Sequence, residues 1–219
     1  MPLAPRILAA LPFVAILSVP GCNIVGPAYV LIHGPEKAQA LHTLEKGRPT
    51  IVFVDDRASV LPRRSTRLGI AEAAQEALLA EGALVDVIDA RNALATAARE
   101  TPGDPMDIAA IGRGVQAEVV IYVAVDAFEL SADGQSFLPS ARARVKVLDV
   151  TKTEGARLWP AEREGHPIVL QLPVRTGELP RTPAQVAAAE AGLAQQLGVA
   201  VGRLFFDYEV RTPVSERNK

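Results

Sequence analysis

The chain has 219 residues, enough for one good-sized domain or two small ones. Hydrophobic residues make up 49% and charged residues 22%, a balance that supports a buried core and excludes a disordered chain. A net charge of −2 and 5% aromatics exclude the basic field and stacking platforms of a nucleic-acid binder, and a single cysteine excludes a disulfide framework or a multi-cysteine metal site.

Met1 to Arg6 is short and carries one positive charge, and Ile7 to Val19 is apolar except for Pro12 and Ser18. That core is too short for a membrane-spanning helix, which needs about 20 apolar residues, and it fits the apolar core of a secretory signal. Val19-Pro20-Gly21-Cys22 follows. It resembles the bacterial lipobox, in which an aliphatic residue and two small residues precede a cysteine; Val19 and Gly21 carry the match, and Pro20 stands where a small non-proline residue is usual. The resemblance implies a diacylglyceryl group on the Cys22 sulfur, removal of the signal segment 1–21, and acylation of the new amino group. Two or three acyl chains give stable anchoring where one is marginal. Asn23, in place of the aspartate that favours inner-membrane retention in enterobacterial lipoproteins, implies an outer-membrane, periplasm-facing location.

Residues 22–49 read as a lipidated cysteine and short tether, because Gly26-Pro27, Gly34-Pro35 and Gly47-Arg48-Pro49 argue against a long regular element. About 27 residues of flexible coil span roughly 30 Å, and about 90 Å when fully stretched. Ala28–His33 is apolar and reads as lying either at the lipid surface or on the domain. His33 and His42 match no metal-ligand spacing.

A single α/β domain is expected over 50–212, followed by a flexible tail at 213–219. Thr50–Val54 is a β-branched run that reads as a buried strand. A helix capped by Ser65 or Thr66 runs to about Glu81, with Gly82 as its stop. Ala83–Asp89 reads as a second strand and Asp89 as the cap of a helix over 90–100. Asp104-Pro105 marks a further helix start, running to about Val115. Ala117–Leu130 is the strongest strand, with the near-continuous apolar run of a strand covered on both faces. Turns at Asp133-Gly134 and Thr153–Gly155 flank an alternating strand, Ala141–Val150, and lead to Ala156–Ala161. Ile168–Val174 is a further strand, and a helix from about Ala184 to Tyr208 closes the chain. The order β-α-β-α-α-β-β-β-α implies one mixed sheet with helices packed on it.

"IAAIGRGVQAEVVIYVAVDAF" and "ARVKVLDVTKTEGARLWPAE" resemble a recurring envelope pattern. It is similar to segments of the curli-secretion lipoprotein, of lipoprotein activators of penicillin-binding proteins, and of the N-terminal domain of the Tol-system propeller protein. "GCNIVGPAYVLIHGPEK" and "VFVDDRASVLPRR" resemble a family of planctomycete lipoproteins of unknown function. Neither resemblance implies catalytic residues.

Asp55 and Asp56, at the end of the first strand, are the most enzyme-like pair: two carboxylates there could hold Mg²⁺ or divide acid and base roles. Adjacent strand residues point to opposite faces, however, and Arg57, Arg63, Arg64 and Arg67 follow closely, so ion pairing or capping is the plainer expectation for Asp55 and Asp56, with binding of a partner protein a further reading. Arg63 and Arg64 could meet phosphate groups or an acidic partner, or form a solvated loop. Arg142, Arg144 and Lys146 share one face of their strand, a ladder of three cations fit for an acidic protein, a glycan or lipid headgroups, or else simply wetted. Gly112-Arg113-Gly114 follows a helix rather than a strand, so dinucleotide binding fails on context. No nucleophile elbow, phosphate-binding loop or His-Glu-x-x-His occurs, and no cofactor is expected.

The leading expectation is therefore a membrane-anchored envelope lipoprotein, held by lipid on Cys22, whose domain binds an envelope protein without catalysis. An oligomeric export-channel subunit similar to the curli-secretion lipoprotein and a metal-dependent hydrolase using Asp55 and Asp56 are the alternatives.

Overall fold

The computed structural model describes residues 37–100, 106–131, 136–152, 156–173 and 179–210. Cys22, the signal segment, Ala28–His33, the tail at 213–219 and the expected turns at Asp133-Gly134 and Thr153–Gly155 lie outside the described residues, as does Asp104-Pro105.

Eleven elements follow one another: β1 (Lys37–Ala38), β2 (Thr50–Asp55), α1 (Arg64–Ala80), α2 (Ala90–Ala97), α3 (Ile108–Gly114), β3 (Val119–Glu129), β4 (Ser140–Asp149), β5 (Ala156–Trp159), β6 (His166–Gln171), α4 (Pro183–Gly202) and β7 (Tyr208–Glu209). Among the described residues they form an α/β fold on one mixed five-stranded sheet. β2 runs parallel to β3 in the register Thr50↔Val119 to Asp55↔Ala124, and β3 pairs antiparallel with β4. The far edge of β4 is shared: β6 pairs along Ser140–Val145 and β5 along Val147–Asp149, both antiparallel.

The strand sequences dictate where the layers go. β2 is buried at every position and β3 at its first five, so helices must cover both faces there. β4 instead alternates, burying Ala141, Ala143, Val145 and Val147 and turning Arg142, Arg144 and Lys146 the other way. On the first face α1 and α4 bring Ile70, Ala74 and Leu78 together with Leu193, Leu197 and Val201 over Val52, Val54, Ile121, Val123 and Val145. Each fully buried Leu or Ile side chain there contributes about 1.5–3 kcal/mol. The two helices approach closely enough that a Cβ at Gly198 would lie 2.3 Å from Ile70 O. On the second face the short helices α2 and α3 place Ala93, Ala97, Ala109 and Ile111 over Ile51, Phe53, Val120 and Tyr122. They sit over β2 and β3, and among the described residues no helix covers the β4–β6 part of that face.

Several boundaries differ from the sequence expectations. Ala83–Asp89 is not a strand. Gly82, at φ +64°, ends α1, and the amides of Ala83 and Leu84 turn back to Leu78 O. The Gln75 side chain takes Ile88 O, so a single backbone bond, Ile88 N–H to Thr50 O, reaches the sheet. Val85 is left 76% exposed. α1 starts at Arg64 with no side-chain cap from Ser65 or Thr66. α3 begins at Ile108.

α4 begins at Pro183, where Thr182 and Gln185 form a reciprocal capping box. It ends at Gly202, short of the expected Tyr208. The chain then turns, Phe205 returns to the core, and Leu204 O accepts the amides of Leu41 and His42. Tyr208–Glu209 pairs antiparallel with Lys37–Ala38. The compact unit accordingly spans Lys37–Glu209. Residues 37–49, expected as the end of a tether before a domain starting at Thr50, are packed on it through buried Leu44, through His42 stacked 5.9 Å from Trp159, and through Arg48 bonded to Glu118 and Asp149.

Candidate functional site

The open part of the second face is built from β3, β4, β5 and β6. Register places Tyr122 opposite Lys146, Ala124 opposite Arg144, Arg142 opposite Val169, and Leu148 opposite Arg157, so these side chains share one surface. Asp55, at the end of β2 and opposite Ala124, borders the same surface. A shallow cleft of about 260 Å³ lies between Asp55, Arg57, Tyr122, Asp126, Arg144 and Lys146.

Asp55 is only 9% exposed, and its charge is matched from three sides. Its Oδ2 accepts the Tyr122 hydroxyl at 2.8 Å and the Arg57 Nε–H at 2.8 Å, and Arg67 stands 3.8 Å from Oδ1. Burial, then the Asp55 charge, pushes the Tyr122 phenol well above its ordinary value of 10.0, so it remains a donor. Asp56 turns elsewhere: its two oxygens accept the amides of Val60 and Leu61 at 2.8 and 3.1 Å, closing the loop that feeds α1. The carboxylates therefore serve different partners, and no group of three metal-donor residues occurs among the described residues.

The Arg63-Arg64 pair divides as well. Arg63 bonds Glu190 at 2.7 Å and ties the start of α1 to α4, whereas Arg64 is exposed and pairs with no described acid. Arg67 donates twice to Val54 O and lies over the Phe53 ring.

The cation ladder on β4 is not uniform. The β3 register shifts between Val125 and Ala127, and this bulge aims Asp126 at Arg144. Arg144 grips Asp126 with a two-bonded fork at 2.8 and 2.6 Å and reaches Glu164 at 3.3 Å, so the middle rung is neutralised. The Asp126 hydrogen bond leads the interactions that hold that guanidinium charged. Lys146 is half-buried; burial lowers its pKa below 10.5, the Arg157, Arg144 and Arg163 charges push the same way, and Glu164 opposes them. Among the described residues Arg142, Lys146, Arg157 and Arg163 have no ion-pair partner. Arg157 and Arg163 cluster with Lys146, and Arg142 lies farther along β4 beside exposed Val169, so the face carries unpaired cations along its length.

Sequence reasoning found Arg142, Arg144, Lys146 and Asp55 but missed Tyr122, Asp126, Arg157, Arg163, Glu164 and Val169. Asp126 had a signal: it is the lone acid inside an apolar run. The others become visible only through the strand register. Trp159 packs between His42, His166 and Phe205. Gly112, at the end of α3, packs against Val120, where a Cβ would lie 2.6 Å from the valine methyl. A larger cleft of about 920 Å³, lined by Phe137, Pro139, Leu172, Leu179 and Leu193, lies between α4 and the end of the β4–β6 pair and holds none of the expected site residues.

The fold and site define a mixed-sheet α/β domain with one helix-covered face and one half-open, cation-bearing face. No known family profile matches the chain, and no curated protein does. Among solved structures the chain is similar to a PelC dodecamer from Paraburkholderia phytofirmans (16% identity, TM-score 0.45, covering 78% of this chain and 97% of that one). It is also similar to the hypothetical protein CT253 from Chlamydia trachomatis (14%, 0.39, 72% and 98%) and to lipoprotein GNA1162 from Neisseria meningitidis (14%, 0.37, 68% and 97%). Likenesses of this extent carry no inference about function.

Proposed function

We propose that this chain is a lipid-anchored envelope protein whose α/β domain binds an acidic partner protein through the open half of its sheet, without chemistry of its own. The observation that supports this reading is the run of unpaired cations, Arg142, Lys146, Arg157 and Arg163, along the part of the sheet face that α2 and α3 do not cover. A basic surface of this kind raises encounter rates with acidic partners and selects against basic ones. Asp55 and Asp56, the residues a hydrolase would use, are engaged separately in holding Tyr122 and the 56–61 loop.

The anchor is read from Ile7–Val19 and Cys22, and no helix among the described residues is long and apolar enough to cross a membrane. The partner is accordingly sought at the anchoring membrane, which Asn23 favours as the outer one.

A photo-reactive amino acid placed at position 142 in the native host tests the reading, with position 76 on the exposed side of α1 as the control. Discrete cross-linked protein species from position 142 but not from position 76 are expected. The same pattern from both positions, or cross-links to lipid alone from position 142, would contradict it.

A further inference from the structure

The open sheet edge carries more information than its charge. Leu172 N–H donates to Pro139 O at 2.9 Å, in register with the pairs from Ser140↔Gln171 to Val145↔His166. In an antiparallel pair, residues alternate between those that bond across the ladder and those whose N–H and C=O point away. The Leu172 bond fixes that phase. Leu170, Ile168 and His166 bond inward to β4, and Gln171, Val169 and Pro167 present their backbone groups outward.

Pro167 fits this phase, because it occupies an outward position where a missing N–H removes no ladder bond. Among the described residues no backbone bond reaches the outward groups of Val169 or Gln171. Val169 is 77% exposed, with its side chain beside Arg142 on the basic face. The opposite edge offers no such template, since every residue of β2 is buried.

We infer that β6 accepts an added strand from an extended acidic segment of a partner protein, whose backbone bonds Val169 and Gln171 and whose carboxylates meet Arg142. Strand addition of this kind takes affinity from the main chain and specificity from alternate side chains. The added strand would lie about 10 Å from β4, a gap that an arginine and a glutamate together span. A second copy of this chain is disfavoured as the occupant, because pairing β6 with itself would bring two basic patches onto one continuous face. The inference rests on the basic face being the binding surface, and it adds the mode of binding.

The test uses the full-length chain in detergent and a synthetic peptide of alternating glutamate and valine, with its lysine–valine counterpart as the control. The glutamate peptide is expected to bind, the lysine peptide not, and the Val169 and Gln171 amides to become protected from exchange while Leu170 is unchanged. Val169→Pro removes the outward donor without breaking the β4–β6 ladder and should weaken binding about tenfold or more with little change in melting temperature, whereas Val169→Thr should bind as the wild type does. Binding lost in Arg142→Glu but retained in Val169→Pro, with no protection at Val169, would overturn strand addition and leave the binding-face reading intact. Binding unaffected by either substitution would overturn both. Absence of binding by the glutamate peptide, or concentration-dependent dimers abolished by Val169→Pro, would overturn the acidic-segment inference.

Discussion

Replacing Gly198 with alanine adds one methyl group at the crossing of α1 and α4. The new Cβ would sit 2.3 Å from Ile70 O, 2.6 Å from Ala73 Cβ and 2.9 Å from Ala74 N. These are backbone and near-backbone atoms that cannot rotate away, so the helices must separate by about 1 Å to restore ordinary contact distances. That separation loosens the packing of Ile70, Leu193, Leu197 and Val201, all fully buried. Overpacking of this kind costs about 1–3 kcal/mol and occasionally more, and the rigid obstacles place this case at the upper end or above. Alanine returns about 1 kcal/mol of helix propensity, leaving a net loss of about 2–3 kcal/mol. Gly192, six positions earlier on the same helix, has nothing within 4 Å of its Cβ position. Gly192→Ala should therefore gain about 0.5–1 kcal/mol from propensity alone. Thermal unfolding followed by circular dichroism should place Gly198→Ala about 5–10 °C below the wild type and Gly192→Ala about 2–4 °C above it. A Gly198→Ala protein that melts at or above the wild type would refute the close-contact account of the α1–α4 face.

Four further outcomes follow from the site and the termini. Asp55→Ala leaves the Tyr122 hydroxyl without its acceptor and should cost about 1–3 kcal/mol, Tyr122→Phe about 1 kcal/mol, and the double variant less than their sum in urea unfolding. Consistent with its raised pKa, Tyr122 should not ionise at its ordinary value of 10.0 in an ultraviolet titration of the folded chain, and Asp55→Ala should bring its transition down. Burial holds His42 below 6.5 when folded, so the unfolded chain takes up that proton first. Stability should be undiminished by this group above pH 6.5 and fall as pH drops through it, until folded His42 itself titrates; His42→Phe should flatten the urea midpoint between about pH 7.5 and about pH 5.5. Cys22→Ser should move the chain from the membrane to the soluble fraction and abolish labelling by a palmitate analogue, whereas unchanged membrane association would count against the lipid anchor.

Those parts of the fold that depend on local pattern were legible in the sequence. The apolar runs of β2 and β3 announced strands buried on both faces, the alternation of β4 announced one covered and one open face, and Gly82 and Asp89 marked a helix stop and a helix cap that the structure contains. The misses are long-range. Ala83–Asp89 has the composition of a strand, but its amides and carbonyls are spent on Leu78 and Gln75. The glycines and prolines before Thr50 look like a tether, yet Leu41 and His42 find Leu204 O at the far end of the chain.

The site was legible to the same degree. The three cations of β4 were visible as a row. The neutralisation of Arg144 was not, because it depends on a β3 bulge that turns Asp126 across the register. Tyr122 and Asp55 stand 67 positions apart, and only the parallel pairing of β2 with β3 makes them neighbours. One capping box was there to be read: Thr182 and Gln185 have its spacing, and α4 starts where it predicts, at Pro183, one residue before the expected Ala184.

The uncompensated cations of the open face are proposed to recruit an acidic protein at the membrane. Charge reversal of Arg142, Lys146 and Arg157 together, followed by proximity labelling from the anchored chain in living cells, tests it most directly. The variant should reach the membrane in normal amount and melt within a few degrees of the wild type, while the labelled partner disappears. A partner labelled equally by the wild type and the charge-reversed chain would contradict it.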